Sequence, residues 1–176
     1  MKNKDYVIFL DMDGVLVDYC SGYHKTFGYD KELKNYPFDR ENFWASLEWE
    51  YGGQELYNFA KETFENVHIL SSTGVRGDIA KHKVVCNGKF RWIMQNIPYM
   101  PIANIHLVAG KEFKKRYAAP KSILVDDCRI TVRDWISAGG IGIHHVYKHY
   151  QRTIYYLDKI DSLSSSLTEI ALRIAK

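Results

Sequence analysis

Five short apolar runs of strand length recur along this chain, separated by longer stretches with helical patterning. The runs cover residues 6–10, 67–70, 105–108, 123–125 and 141–143. Each run is apolar at successive positions, which is typical of strands that are covered on both faces. Strands that alternate with helices along a chain pair in parallel. The sequence therefore predicts an α/β fold, a three-layer sandwich in which helices cover both faces of a parallel, Rossmann-like sheet.

Polar residues follow four of the five runs directly. Because ligands of such sheets bind beyond the carboxyl ends of the strands, these residues are expected to converge on one polar site. They are Asp11 and Asp13 after the first run, Ser71, Ser72 and Thr73 after the second, Gly110 and Lys111 after the third, and Asp126 and Asp127 after the fourth.

The interval between the first two runs is too long for one crossover helix and is rich in aromatic residues. We interpret residues 18–66 as a small helical cap inserted into a core domain that is formed by residues 1–17 and 67–176. The last cap helix, at about residues 54–64, is expected to pack back on the sheet. Near the C-terminus, the stretch "DSLSSSLTE" at 161–169 is interpreted as a linker before a final short helix.

Composition narrows the possible partners and the location. At 176 residues the chain fits one domain of ordinary size with an insertion. The formal net charge of +3 is too small to indicate bulk binding to nucleic acid or membranes, and no segment has the length and apolarity of a membrane span. Three widely spaced cysteines, Cys20, Cys86 and Cys128, fit neither a disulfide framework nor a metal knuckle. We interpret them as reduced thiols and predict a cytoplasmic protein.

The spacing of the acidic residues indicates phosphoryl chemistry. Clustered carboxylates repel one another unless a cation is bound between them, and oxygen ligands of this kind suit Mg²⁺. Asp11 and Asp13 are two positions apart, so one carboxylate can attack phosphorus while the other protonates the leaving oxygen and later activates water. Asp126 and Asp127 add oxygen ligands for the metal. Serine hydroxyls at 71 and 72 and a lysine can bind the phosphate oxygens.

Three sequence motifs, in order along the chain, resemble those of the haloacid dehalogenase superfamily of phosphohydrolases. "DMDGV" resembles the first motif, "VHILSS" the second and "ILVDD" the fourth. The resemblance implies a HAD-like fold with Asp11 as nucleophile, Asp13 as general acid and base, and Ser71 as a phosphate ligand. It also implies a magnesium site formed by Asp11, Asp13 (through its backbone carbonyl), Asp126 and Asp127.

Within that superfamily, the chain is most similar to the 5'(3')-deoxyribonucleotidases and related small phosphatases, phage-encoded ones among them. The resemblance rests on "DMDGVLVD", on "LSSTG" followed by "CNGKFRW", and on "YAAPKSILVDDCRITVRDWISAGGIGIHH". It implies that Lys89 also reaches the phosphate. The lysine of the third motif is ambiguous among Lys111, Lys114 and Lys115. We favour Lys114, which lies three residues before Tyr117, with Lys111 as the second choice.

Substrate choice is expected to depend on the cap, where Phe43, Trp44 and Trp49 could stack on a nucleobase. Packing of these rings within the cap is an equally good interpretation. For His144 and His145, which end the fifth run, we favour a structural role, because no partners at zinc-ligand spacing accompany them.

The sequence thus predicts a Mg²⁺-dependent phosphomonoesterase that hydrolyses a nucleoside monophosphate through an aspartyl-phosphate. One alternative is a polynucleotide 3'-phosphatase, which would need a basic groove that the small net charge does not indicate. Another is a catalytically silent nucleotide- or phosphate-binding protein of the same fold. The sequence does not indicate an oligomeric state.

Overall fold

The computed structural model describes residues 2–28 and 37–162. The strands are β1 (Asn3–Leu10), β2 (Phe64–Ser72), β3 (Ile105–Val108), β4 (Ser122–Asp126) and β5 (Ile141–His144). The helices are α1 (Tyr19–Phe27), α2 (Glu41–Ala45), α3 (Gly53–Thr63), α4 (Ile79–Asn96), α5 (Arg129–Ser137) and α6 (Tyr150–Ser162). Two 3₁₀ segments, Ile102–Asn104 and Lys111–Tyr117, flank β3.

All five predicted strands are present, and the apolar runs form their centres. β3 has the predicted bounds, β4 and β5 extend the runs by one or two residues, and β1 and β2 begin three residues before theirs. The extra residues at these strand starts are polar or part of the neighbouring helical pattern, so hydrophobicity alone did not indicate them. The ladder hydrogen bonds between neighbouring strands extend the pairing beyond the apolar residues.

The strands form one parallel sheet in the order β3-β2-β1-β4-β5. The chain first proceeds outward from β1 to β3 and then returns to the other side of β1 to form β4 and β5. The two connections therefore diverge between β1 and β4, which opens a crevice beyond the carboxyl ends of these two strands. Asp11 and Asp126 lie at that position.

Helices cover both faces of the sheet. Ile8, Leu10, Ile123 and Val125 belong to the larger hydrophobic cluster, which also contains buried residues of α3, α4 and α6. On the opposite face, a smaller cluster contains alternate strand residues and one side chain of α5, namely Phe9, Leu70, Leu124 and Trp135. The predicted three-layer α/β sandwich with a parallel sheet is therefore confirmed.

Residues between β1 and β2 form helices α1, α2 and α3. α3 packs on β2 and α6, as predicted for the last helix of the insertion. α2 packs closely on α4, where Gly88 allows the approach because a Cβ atom there would overlap the Glu41 carbonyl oxygen and Trp44. Arg91 of α4 also binds the Glu41 carboxylate at 3.0 Å. The division into core and cap at residues 17/18 and 66/67 stays a prediction.

The predicted C-terminal linker and the short helix after it lie outside the described residues, apart from residues 161 and 162, which end α6. Among the helices that the structure describes, none is long and apolar enough to cross a membrane. All three cysteines are free, Cys20 being exposed and Cys86 and Cys128 half-buried.

One feature of the sheet makes its stability depend on pH. His68 of β2 and His106 of β3 stack at a ring-centroid distance of 5.2 Å, with Nδ1 of His68 at 2.9 Å from Nε2 of His106. Burial lowers the pKa of both imidazoles below their usual value, and the neighbouring ring lowers the pKa of His68 further. The folded protein therefore holds this pair neutral at a pH where the unfolded chain binds protons.

We expect this pair to contribute a loss in the free energy of unfolding as the pH is lowered from about 7.5 to about 5.5, since protons bind the unfolded state more tightly below the ordinary histidine pKa. Urea denaturation of the wild type and of the double variant His68→Phe, His106→Leu at both pH values isolates this loss. On lowering the pH, the wild type should lose more stability, or gain less, than the double variant. Replacing the exposed His149 by Gln should leave the loss unchanged. Equal losses in the wild type and the double variant would contradict this account.

Candidate active site

The crevice between β1 and β4 holds two carboxylates that share one ammonium group. The Asp11 backbone N–H donates to the Val125 carbonyl at 3.0 Å, which places Asp11 beside the end of β4. Lys114 Nζ lies 2.8 Å from Asp11 Oδ2 and 2.7 Å from Asp126 Oδ2. The Lys114 side chain is only 2% exposed and that of Asp126 only 1%, so water screens these charges weakly. The three groups therefore form a tightly coupled buried cluster.

The 3₁₀ segment Lys111–Tyr117 brings Lys114 into this position. Of the basic residues in that segment, Lys114 is buried, whereas Lys111, Lys115 and Arg116 are exposed. Lys111 instead reaches the Cys128 thiol, with Nζ 3.4 Å from Sγ. Burial disfavours the charged form of Lys114, but the charges of Asp11 and Asp126 outweigh it and raise the pKa of Lys114. Of the three candidate lysines, Lys114 is the one that contacts the Asp11 and Asp126 carboxylates.

Asp13 is paired with a second buried lysine. Lys89 Nζ of α4 donates to Asp13 Oδ2 at 2.6 Å, to Ser71 Oγ at 3.0 Å and to the Ser72 carbonyl at 3.1 Å. It also lies 4.9 Å from the centroid of the buried Trp44 ring of α2. The structure thus brings Asp13, Ser71, Ser72 and Lys89 together, four residues that the sequence placed in one site.

The two oxygens of Asp13 have different surroundings. Oδ2 binds Lys89, whereas Oδ1 is buried and has no hydrogen-bond partner among the described residues. Burial raises the pKa of Asp13, the charge of Lys89 opposes this rise, and the charge of Asp11 adds to it. A carboxyl group in this setting binds a proton more readily than an ordinary aspartate does.

Asp127 joins the cluster from the loop after β4. Its carboxylate packs against Gly14, which has a positive φ of 74°, and a Cβ atom at residue 14 would overlap Asp127 Oδ2. The residue as a whole is exposed. Loss of hydration at this buried contact, followed by repulsion from Asp11 and Asp126, nevertheless raises the pKa of Asp127 to about 7. Gly14 is therefore required for the close approach of Asp127.

The carboxylates of Asp11, Asp126 and Asp127 suit a divalent cation. Each offers one oxygen, and the three oxygens lie within 4.8 Å of one another. Three acidic groups in this space have one buried ammonium, Lys114, as a counter-charge, and burial raises the pKa of Asp126 to about 6. A donor set made of oxygens and an excess of negative charge are what Mg²⁺ prefers. The residues present thus fit the predicted metal.

Thr73 and His82 make a contact that the sequence analysis missed. Thr73 is completely buried, and its Oγ1 lies 2.8 Å from Nδ1 of His82 on α4. His82, Cys86 and Lys89 lie one turn apart along α4, so the same helix holds the end of β2 at both Thr73 and Ser71. The spacing of these three residues on one helix face was visible in the sequence, but the partner strand was not.

The predicted base-stacking residues lie mainly in the core. Phe43 and Trp44 are buried, with the Trp44 ring stacked on Tyr19 at a centroid distance of 5.6 Å and its Nε1–H donating to the Pro37 carbonyl. The half-buried Trp49 packs edge-on against Trp92 at 4.8 Å. The contact of Trp44 with Tyr19 corresponds to the second interpretation, packing within the predicted cap, whereas Trp49 packs on α4 outside that segment. Contact with a nucleobase stays a prediction.

His144 and His145 differ in their roles. The imidazole of His145 is buried, and its Nδ1 lies 3.0 Å from Thr153 Oγ1, which is the structural role expected of it. His144 Nε2 lies 2.9 Å from the Asp127 carbonyl and so contacts the backbone of the acidic cluster. No motif in the sequence indicated that contact.

Neither a family model nor a curated protein sequence matches this chain. Among solved structures with a similar course of the chain is D,D-heptose 1,7-bisphosphate phosphatase from Burkholderia thailandensis. The two sequences are 11% identical, the superposition has a TM-score of 0.47, and it covers 86% of this chain and 84% of that protein. We draw nothing further from this similarity.

Replacing Lys114 by Met should lower the free energy of unfolding by about 3 to 5 kcal/mol in metal-free buffer, because two buried carboxylates lose their counter-charge. Lys111→Met is the matched control. It removes an exposed ammonium from the same segment and should change stability by less than about 0.5 kcal/mol. Chemical denaturation of both variants measures the difference, and equal stabilities would show that Lys114 does not hold the cluster together.

Proposed function

We propose that this protein is a Mg²⁺-dependent phosphomonoesterase of the haloacid dehalogenase superfamily that hydrolyses a nucleoside monophosphate. The observation that carries the proposal is the pair of neighbouring aspartates in unlike surroundings. Asp11 is held between a lysine and a backbone N–H, while Asp13 has a raised pKa and one free, buried oxygen. Environments of this kind separate a nucleophile from an acid.

Asp11 is the proposed nucleophile. Met12 N–H donates to its Oδ1 at 2.7 Å, and Lys114 binds its Oδ2, so the carboxylate has a fixed orientation. One carboxylate oxygen forms a bond to phosphorus while the bond between phosphorus and the ester oxygen breaks. The product of this step is an aspartyl-phosphate, and the leaving alcohol needs a proton.

Asp13 is the proposed source of that proton. Its raised pKa favours the protonated form that the first step requires, and its Oδ1 has no protein partner to give up. Once the alcohol has left, the ionised carboxylate accepts a proton from the water that attacks phosphorus. The bond between the Asp11 oxygen and phosphorus then breaks, which releases inorganic phosphate and restores the Asp11 carboxylate. Lys89, which binds Oδ2, keeps the side chain in place throughout.

Ser71, Ser72, Lys89 and Lys114 surround the place of the phosphate. Ser71 Oγ and the two ammonium groups are buried, so their charge and dipoles act on the phosphate oxygens with little screening. Asp11, Asp126 and Asp127, with the backbone carbonyl of Asp13, would hold Mg²⁺, which when bound offsets the negative charge of the carboxylates and the phosphate. The choice of a nucleoside monophosphate as the substrate rests on the resemblance of the sequence to the deoxyribonucleotidases.

The wild type should release phosphate from nucleoside monophosphates and from p-nitrophenyl phosphate with Mg²⁺, and EDTA should abolish the release. Asp11→Asn should lower kcat by at least about 1,000-fold, because an amide oxygen is a poor nucleophile. Phosphate release from a panel of substrates measures the loss of kcat in Asp11→Asn. Including 3'-phosphorylated oligonucleotides in the panel tests the alternative function of a polynucleotide 3'-phosphatase. No release from any substrate would favour a silent binding protein instead. An Asn variant as active as the wild type would contradict the role of Asp11 as the nucleophile.

The two lysine variants should differ in activity as well as in stability. Lys114→Met should lower kcat/KM by about 100-fold or more, since the variant loses a charge aimed at the phosphate and at Asp11. Lys111→Met should keep near-normal turnover. Assays are run where circular dichroism shows both variants folded. Loss of activity in Lys111→Met with retention in Lys114→Met would reverse the assignment of the two lysines.

A further inference from the structure

A cavity of about 510 Å³ opens beside the acidic cluster. Gly14, which directly follows Asp13, and Asp127 form its inner end. The start of α1 contributes Asp18, and the loop after β5 contributes His144 and Tyr147. Three other cavities between described residues have no member of the acidic cluster in their walls. This cavity therefore adjoins the acidic cluster at Asp127.

The walls of the cavity have the features of a site for an uncharged, hydroxyl-bearing ring system. Its volume lies in the range of small-molecule pockets. Tyr147 is 54% exposed, so much of its surface is available for contact. Glu50 is buried, and the Tyr51 N–H fixes its Oε1 at 2.8 Å. The hydrogen bond that the described residues make to the Glu50 carboxylate is this one to Oε1, so Oε2 can accept from a sugar hydroxyl.

The charge of the cavity disfavours a second phosphate. Three carboxylates, those of Asp18, Glu50 and Asp127, line it, and no lysine or arginine does. The ammonium of Lys148 lies 5.1 Å from the centroid of the Tyr147 ring but is not part of the lining. An anionic group placed among these carboxylates would be repelled. A monophosphate with an uncharged leaving group fits this wall, whereas a bisphosphate or an oligonucleotide does not.

We propose that the nucleoside part of the substrate occupies this cavity, with its base stacked on Tyr147 and a sugar hydroxyl bound to Glu50. This inference rests on the proposed phosphomonoesterase activity and extends it. Under this proposal, substrate selection depends on the loop between β5 and α6 and not on the buried rings of Phe43 and Trp44. Tyr147 is then a specificity residue that does not touch the reacting atoms.

The test compares two substrates in three proteins. A nucleoside monophosphate fills the cavity, whereas acetyl phosphate has a leaving group too small to reach Tyr147. In Tyr147→Ala, kcat/KM for the nucleotide should fall by about 10-fold or more, as expected for loss of one stacked base. In Tyr147→Phe, which keeps the ring, it should stay within about twofold. Both variants should hydrolyse acetyl phosphate like the wild type, since residue 147 is exposed and lies outside the catalytic cluster.

Four results would overturn the inference, the last of which adds a nucleoside bisphosphate to the substrates of the wild type. Unchanged nucleotide hydrolysis in Tyr147→Ala would remove the stacking role, and an equal loss on both substrates would indicate a structural effect. A wild type that hydrolyses acetyl phosphate but no nucleotide, or that prefers a nucleoside bisphosphate to a monophosphate, would assign the cavity to another leaving group and leave the phosphatase proposal intact. Absence of Mg²⁺-dependent hydrolysis of both acetyl phosphate and the nucleotide would instead contradict the proposed function itself.

Discussion

The ammonium group of Lys114 lies between two carboxylates that the topology of the sheet forces together. Asp11 and Asp126 end neighbouring parallel strands at the point where the connections diverge, so their separation follows from the hydrogen-bond register of β1 and β4. Two buried carboxylates at this distance need a counter-charge, and Lys114 supplies one charge for two. After pairing with Lys114, the carboxylates of Asp11 and Asp126 keep an excess of negative charge, to which Asp127 adds. In the proposed function, this excess charge attracts a divalent cation.

The same arrangement gives the two neighbouring aspartates different properties. Asp11 meets Lys114 and a backbone N–H, whereas Asp13 turns toward α4 and meets Lys89. Gly14, which follows Asp13, allows Asp127 to approach. α4 holds both Lys89 and His82 and α2 packs on α4, so α2 supports the contacts of Asp13, Ser71 and Thr73 through that one helix.

Much of this could be predicted from the sequence because strands and strand ends leave strong local signals. Unbroken apolar runs predicted all five strands, and the polar residues after them predicted Asp11, Asp13, Ser71 and Asp126 as neighbours. The choice of Lys114 among three lysines was less certain, since a 3₁₀ segment has no clear periodicity from which to deduce the inward side chain. The structure shows which of the three lysines faces inward. Lys114 is buried in the cluster, whereas Lys111 and Lys115 are exposed to solvent.

Contacts between distant segments could not be predicted in this way. The pair of Thr73 and His82, the contact of His144 with the Asp127 carbonyl, and the cavity next to Tyr147 each depend on packing between elements that no local pattern encodes. The aromatic residues of the cap illustrate the same limit. "ENFWASLEW" suits a ligand-binding surface and a packed core equally well, and only the positions of Tyr19 and Trp92 show that Trp44 and Trp49 pack against rings of other segments.

The central claim is that Asp11 bonds to phosphorus beside a cation held by its acidic neighbours. A crystal structure of the protein with Mg²⁺ and beryllofluoride tests it most directly, because beryllofluoride mimics a phosphoryl group on a carboxylate. We predict beryllium bonded to an Asp11 oxygen, with Mg²⁺ in contact with Asp11 and Asp126 and with Lys114 beside the fluorides. Beryllofluoride bound elsewhere, or carboxylates of Asp11 and Asp126 that face bulk water with no metal between them, would contradict the account.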